Sequence, residues 1–194
     1  RDRSVSRGLG DVYKRQGYIK KTVIGDVMNI KKVRVDKEGT GMGWGAVYAQ
    51  YLESMDQIGE QGNGLSVSRQ LYKGDEALNE SAPLKVGDKI TVRLTVKADR
   101  DMDFVQIKDD RAACMEPLQA VSGFRWSNGL GYYQATKDAS TQFFIDQMRK
   151  GTYVIEYQVY VNRTGEYQTG IATVQSAYAP EFGGHTGGYR VMVE

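Results

Sequence analysis

One cysteine, one histidine and three prolines stand in 194 residues, and each scarcity closes off chemistry. A lone cysteine, Cys114, forms no disulfide within the chain and builds no multi-cysteine metal site. Such a thiol ordinarily packs as a small hydrophobe. A lone histidine, His185, is the sole imidazole for any Ser-His-Asp or Cys-His pairing. It lies in Phe182-Gly183-Gly184-His185-Thr186-Gly187-Gly188, where the glycines predict an exposed flexible loop, poor support for a preorganised base. No apolar run approaches the ~20 residues that cross a bilayer as a helix. The formal charge is only +2, with acids and bases interspersed, so no track for nucleic-acid phosphates and no pull toward an anionic membrane is expected. No metal or cofactor is expected either, and neither nucleic acid nor direct membrane contact belongs among the partners.

What the chain does have is tyrosine, glycine and period-two alternation. Thirteen tyrosines and 23 glycines favour strands joined by many turns. Ile90, Val92, Leu94 and Val96 alternate with Lys89, Thr91, Arg93, Thr95 and Lys97, the pattern of a strand with one wet face. Tyr153, Ile155, Tyr157, Val159 and Val161 alternate in the same way. A turn at Asn162-Arg163-Thr164-Gly165 then predicts a hairpin with a second strand from Tyr167 to Gln175. Leu65, Val67, Arg69 and Leu71 share a face, Met102–Ile107 predicts a strand, and Tyr132–Ala135, Thr141–Asp146 and Tyr189–Val193 predict further ones. Ala112–Trp126 reads as irregular, and Lys108-Asp109-Asp110-Arg111 as a loop after its strand. Toward the N-terminus, Tyr18–Ile24 and Ile30–Val35 are β-prone. Trp44–Leu52 favours a strand apolar on both faces, with a short buried helix as the competing reading. The whole predicts an all-β antiparallel sandwich with a short β-rich N-terminal piece. A boundary is expected near Gly39–Gly43, where turn residues cluster.

Asp99 with Asp101, and Asp109 with Asp110, are the candidate carboxylate pairs for glycosidase chemistry or calcium. Neighbouring acids in a turn ordinarily diverge into solvent, so neither pair is assigned a site. Trp126, Tyr132 and Tyr133 are the candidates for an exposed aromatic platform, the marker of a carbohydrate- or peptide-binding module.

Two resemblances organise the chain. Ser6–Gln16, SRGLGDVYKRQ, is similar to the translation of a transposase-derived sequencing adaptor, so residues 1–16 are expected to be adaptor-derived and free of packed contacts. From Trp44 onward the ordered pieces WGAVYAQYLE, LKVGDKITVRLTV, DFVQIKDDRAACMEP, GYYQATKDASTQFFID, GTYVIEY and YAPEF resemble the carboxy-terminal macroglobulin-like domain, the tenth, of Bacteroidetes-type bacterial α2-macroglobulins. That resemblance implies a macroglobulin-like sandwich over 41–194, with 17–40 the tail of a preceding CUB-like region. It implies a non-enzymatic part of a broad-range protease trap, an endopeptidase inhibitor, located in the periplasm or at the cell surface. Its partners would be other domains of the parent chain and, through the whole molecule, target proteases. The thioester motif of that family is absent, Cys114 standing instead in Ala-Ala-Cys-Met-Glu-Pro. In the family a loop of this domain packs against the thioester region and keeps water off it. The matching loop is Ser176-Ala177-Tyr178-Ala179-Pro180-Glu181, so Ala177, Tyr178, Pro180 and Glu181 are the implied binding residues. Ala177 stands where a methionine is common, which leaves a second reading, that Tyr178 plugs the end of its own sandwich.

Overall fold

The computed structural model describes residues 20–25, 30–48, 50, 52–79 and 82–194. The expectation for residues 1–16, and that for residues 18 and 19, lie outside the described residues. The chain divides into two units, Arg1–Tyr51 and Leu52–Glu194. Among the described residues of the first, no strand forms, and Ile24, Val35, Trp44 and Tyr48 are exposed. The strands expected over Ile30–Val35 and Trp44–Leu52 are therefore not found. Their residues are β-prone, but a strand must pass its backbone groups to a neighbouring strand, and among the described residues no pairing supplies one.

Among its described residues the second unit opens with a 3-10 turn, Met55–Gln57, and its other regular elements are strands. In chain order these are β1 (Gln61–Asn63), β2 (Leu65–Lys73), β3 (Glu76–Ala77), β4 (Lys89–Ala98), β5 (Met102–Asp110), β6 (Met115–Pro117) and β7 (Gly123–Ser127). They continue as β8 (Leu130–Thr136), β9 (Ser140–Met148), β10 (Gly151–Val161), β11 (Gly165–Gln168), β12 (Ala172–Ser176), β13 (Gly183–His185) and β14 (Arg190–Val193). Hydrogen bonding runs β6-β10-β4-β2-β1-β13-β12-β5-β9-β8-β7, with β3 on β2 and β11 paired separately to β14. All these strand pairings are antiparallel. β6-β10-β4-β2 and β12-β5-β9-β8-β7 form the two layers, and short β1 and β13 carry the path between them.

Alternation decides the register. In β4 the set Ile90, Val92, Leu94, Val96 and Ala98 is buried, and Leu94 lies opposite both Ile155 of β10 and Arg69 of β2. A one-residue slip would turn every one of these side chains to water. Val105 and Ile107 of β5, Phe143 and Ile145 of β9 and Val174 of β12 face them from the other layer. The rings of Phe143 and Tyr157 meet at 5.9 Å across the interior, and Tyr132 meets Phe143 edge-on at 5.6 Å. Fully burying one such side chain contributes about 1.5–3 kcal/mol. Cys114 is buried among these residues, and burial pushes its thiol up.

One polar cluster crosses the interior. Arg69, on the apolar face of β2, donates through Nη1 to Asp109 Oδ1 at 2.6 Å. Its Nη2 donates to Thr169 Oγ1 at 2.9 Å and to the Gly170 carbonyl at 2.6 Å. The Tyr157 hydroxyl donates to the other carboxylate oxygen of Asp109 at 2.7 Å. This cluster corrects two expectations. Lys108–Asp110 is not loop but the end of β5, and Asp109 is 1% exposed rather than solvated, because Arg69 and Tyr157 satisfy it. The single strand expected from Tyr167 to Gln175 breaks at 169–171, where the backbone accepts from Arg69; β11 leaves to join β14, and β12 to join β5 and β13. β10 and β11 thus form no hairpin. Ala112–Trp126, expected to be irregular, contains β6 and all of β7 but its last residue.

Tyr157 makes the fold sensitive to alkali. Burial raises its hydroxyl well above the ordinary 10.0, and the Asp109 charge adds to that. Above pH 10 the unfolded chain loses this proton while the folded chain keeps it. The contribution of Tyr157 is therefore full below pH 10 and declines as pH rises, by up to about 1.4 kcal/mol per pH unit for one such group. Urea midpoints at pH 9, 10 and 11 should show this decline, and Tyr157→Phe should lessen it, leaving the part due to Cys114 and Tyr132, which burial also pushes up. An equal decline in both proteins would rule the assignment out.

Candidate functional site

β12 ends at Ser176, and the chain turns outward through Ala177–Glu181 before β13. The loop is tied down from both sides. The Ala177 N–H donates to the Phe104 carbonyl of β5 at 2.9 Å, and the Ser176 N–H donates to the Phe182 carbonyl at 3.0 Å. Phe182 N–H closes the turn on the Ala179 carbonyl at 2.9 Å. Gln175 Nε2 donates to the Pro180 carbonyl at 3.2 Å, and Asn63 Nδ2 to that of Glu181 at 2.7 Å. Phe182 packs inward against the core, with the Arg100 guanidinium 4.7 Å from its ring centroid. A Cβ at Gly64 would approach that ring to 2.6 Å, and Gly64 has φ +69°, so only glycine suits the position.

With its base fixed, the loop presents Ala177, Tyr178, Pro180 and Glu181 to solvent. Tyr178 is 80% exposed, so it does not plug its own sandwich. Its ring stands edge-on to Phe104, centroids 5.2 Å apart and planes at 83°. Phe104 is itself 49% exposed. Its φ of 54° is left-handed, which costs a non-glycine residue about 1–2 kcal/mol. The structure gives that strain a use. Met102 and Val105 are both buried while Asp103 and Phe104 between them are exposed, so the inward parity changes at the left-handed residue, as it does at Asp146 and Gln147 of the paired β9, and a phenylalanine turns outward beside Tyr178. Sequence reasoning missed Phe104. Its signal was present in Met102-Asp103-Phe104-Val105, where the apolar positions change from even to odd.

The other candidates separate. Tyr132 is buried against Phe143, whereas Trp126 is 77% exposed, and Tyr133 turns to the outer face to meet Phe124 at 5.1 Å. The three do not form one platform. His185 belongs to β13, opposite Gln61 and Thr173, and is half-buried rather than in a free loop. The glycines beside it serve close packing: a Cβ at Gly184 would reach the Gln61 carbonyl at 2.7 Å, and one at Gly183 the Val174 carbonyl at 2.9 Å. Asp99 pairs with Arg100 at 2.8 Å, and Asp101 accepts from the Lys150 N–H at 2.7 Å. Asp109 and Asp110 face opposite ways along β5, Asp110 pairing with Lys108 at 2.9 Å. Among the described residues no three His, Cys, Asp or Glu side chains cluster as metal ligands, and no helix is long and apolar enough to cross a membrane.

Comparison with known proteins agrees with this architecture. The family model described as the bacterial alpha-2-macroglobulin MG10 domain matches residues 64–181. Salmonella alpha-2-macroglobulin reacted with methylamine is similar at 19% identity and a TM-score of 0.60, over 70% of this chain and 10% of that one. Escherichia coli alpha-2-macroglobulin activated by porcine elastase is similar at 16% identity and a TM-score of 0.61, over 71% of this chain and 14% of that one. At these identities the likeness is one of fold. Among curated proteins, circularly permutated Ras protein 2 of Dictyostelium discoideum is 28% identical over 166 residues, which is 82% of this chain and 4% of that protein. The chain thus spans a small part of each relative.

The left-handed φ at Phe104 yields a stability test. Phe104→Gly relieves the strain and loses an edge-to-face contact worth about 0.5–1.5 kcal/mol, so the two nearly cancel. Phe104→Val places a β-branched residue at the same φ and should lose about 2 kcal/mol. Urea unfolding of both variants checks this. Equal stability of the glycine and valine variants would contradict it.

Proposed function

The chain belongs to the bacterial alpha-2-macroglobulin MG10 domain family, and from that premise we propose that it serves as the carboxy-terminal domain of a protease trap, where the Tyr178 loop packs on a neighbouring domain and screens a thioester from water. The observation that carries this reading is Tyr178, 80% exposed on a loop whose backbone is fixed by five hydrogen bonds from its own residues and its neighbours. An exposed tyrosine on a mobile loop would lose entropy on docking, whereas one already held in place loses little. Its ring excludes water, and Phe104 widens the apolar surface where Ala177 contributes only a methyl group. Closing an apolar cover over a hydrolysable bond lowers water access to it. In this reading the domain performs no catalysis. It contributes shape and contact, the parent's other domains contribute the bait and the thioester, and the trap works in the periplasm or at the cell surface on proteases of broad specificity.

The carbohydrate- or peptide-binding reading named Trp126, Tyr132 and Tyr133 as one exposed platform; Tyr132 is buried and drops out of it, while Trp126 stays exposed.

The test uses the full-length parent. Tyr178→Gly should speed thiol release by methylamine by about tenfold, the equivalent of 1.4 kcal/mol of lost protection. The unfolding midpoint of the parent should be unchanged. After exposure to elastase, the unmodified parent should leave cleavage of small chromogenic peptides intact and block cleavage of protein substrates. A parent that releases no thiol refutes the screening role, and free cleavage of protein substrates refutes the trap.

A further inference from the structure

A second surface lies at the far end of the layer from β12, on the β7–β8 hairpin. β7 ends the strand order, and among the described residues it pairs only with β8. Its other edge therefore offers a row of backbone donors and acceptors that only another extended chain can match in register. Gly123–Ser127 contains neither proline nor lysine; its one charged side chain, Arg125, is the edge's only guard and is the group an added acid would neutralise. Phe124 and Trp126, two positions apart on one face, are 81% and 77% exposed. Both are seated. Phe124 stands edge-on to Tyr133, and Trp126 lies across from Gly131, where a Cβ would come within 2.7 Å of the indole.

Arg125 points to the opposite face, into a groove of about 300 Å³ that it lines with Tyr132, Gln134, Glu156 and Gln158. Its Nη2 makes one long bond to the Val121 carbonyl at 3.4 Å, and its buried Nε has no partner. Glu156, the acid across this groove, is already paired with Arg93. A cation thus sits at the centre of an open strand edge with unused donor capacity, flanked by two aromatic rings on the other face.

We propose that β7 accepts an added antiparallel strand from a second polypeptide, an extended segment with apolar side chains on either side of one acidic residue. The backbone bonds align it, the apolar side chains cover Phe124 and Trp126, and the acid turns to Arg125. Charge complementarity selects this occupant over a second copy of the chain, because two β7 strands paired about their centres would set Arg125 against Arg125. The proposal is independent of the Tyr178 loop and of the protease-trap reading.

The probe is a fluorescein-labelled octapeptide of alternating threonine and valine, with glutamate replacing one central threonine so that valine flanks it. Titration with the 194-residue chain should give saturable anisotropy, with slowed amide exchange at residues 123–127. Arg125→Glu should weaken this peptide at least tenfold and strengthen its lysine-centred counterpart by a similar factor. Trp126→Ala should weaken both without changing the circular dichroism spectrum. Failure to saturate as the chain is titrated to about millimolar, exchange protection elsewhere, or indifference to the charge swap would overturn the proposal. So would self-association of the chain through residues 123–127, or binding of soluble glycans at Trp126 in place of the peptide.

Discussion

The guanidinium of Arg69 and the carboxylate of Asp109, with side chains 4% and 1% exposed, meet at 2.6 Å between the two layers of the sandwich. Everything else in the second unit arranges itself around that meeting. Arg69 comes from β2, Asp109 from β5 and the Tyr157 hydroxyl from β10, so both layers contribute. The same guanidinium holds Thr169 and Gly170, and thereby fixes where one run of sequence parts into β11 and β12. Burial pushes the Asp109 carboxyl up, against the pull of Arg69 and of the Tyr157 hydroxyl. A buried pair of this kind contributes little net stability compared with apolar residues of the same shape, because both ions lose their hydration. Its effect is on alternatives. Any misregister of β2 or β5 strands one charge in an apolar interior, which costs several kcal/mol.

From that fixed point the site follows by connectivity. β12 is positioned beside β5 because its first residue, Ala172, pairs with Asp109, and the pairing then runs along to Ser176 opposite Val105. One residue further, Ala177 bonds to the Phe104 carbonyl, at the place where β5 resets its parity. The exposed pair Phe104–Tyr178 is therefore the downstream end of a ladder whose upstream end is the ion pair. A surface loop held in this way has a defined shape before it meets any partner, the property expected of a part that docks rather than catalyses.

Alternation made much of this legible. β4 and β10 follow directly from their period-two patterns, and the resemblance carried by YAPEF led to a loop whose Tyr178 is exposed. Arg69 was visible too, in the apolar series Leu65, Val67, Arg69 and Leu71, but its partner was not. A pair of adjacent acids after a strand ordinarily faces solvent, and nothing local to Asp109 reveals an arginine forty residues earlier. His185 was misplaced for a related reason. Glycines signal either freedom or close approach, and only the carbonyls of Gln61 and Val174 decide for the second. The described residues of the N-terminal β-prone segments show the reverse case: propensity without a paired strand yields no sheet.

A double-mutant cycle on the central ion pair tests this account most directly, using Arg69→Met, Asp109→Leu and their combination in urea unfolding. Each single change leaves one buried charge unpaired and is expected to cost about 3–5 kcal/mol. The double change leaves none, so it should cost markedly less than the two together, with β11 and β12 losing their defined parting as judged by amide exchange at 169–171. Additive losses, with exchange at 169–171 unaltered, would contradict the claim that this pair sets the register on which the outer loop depends.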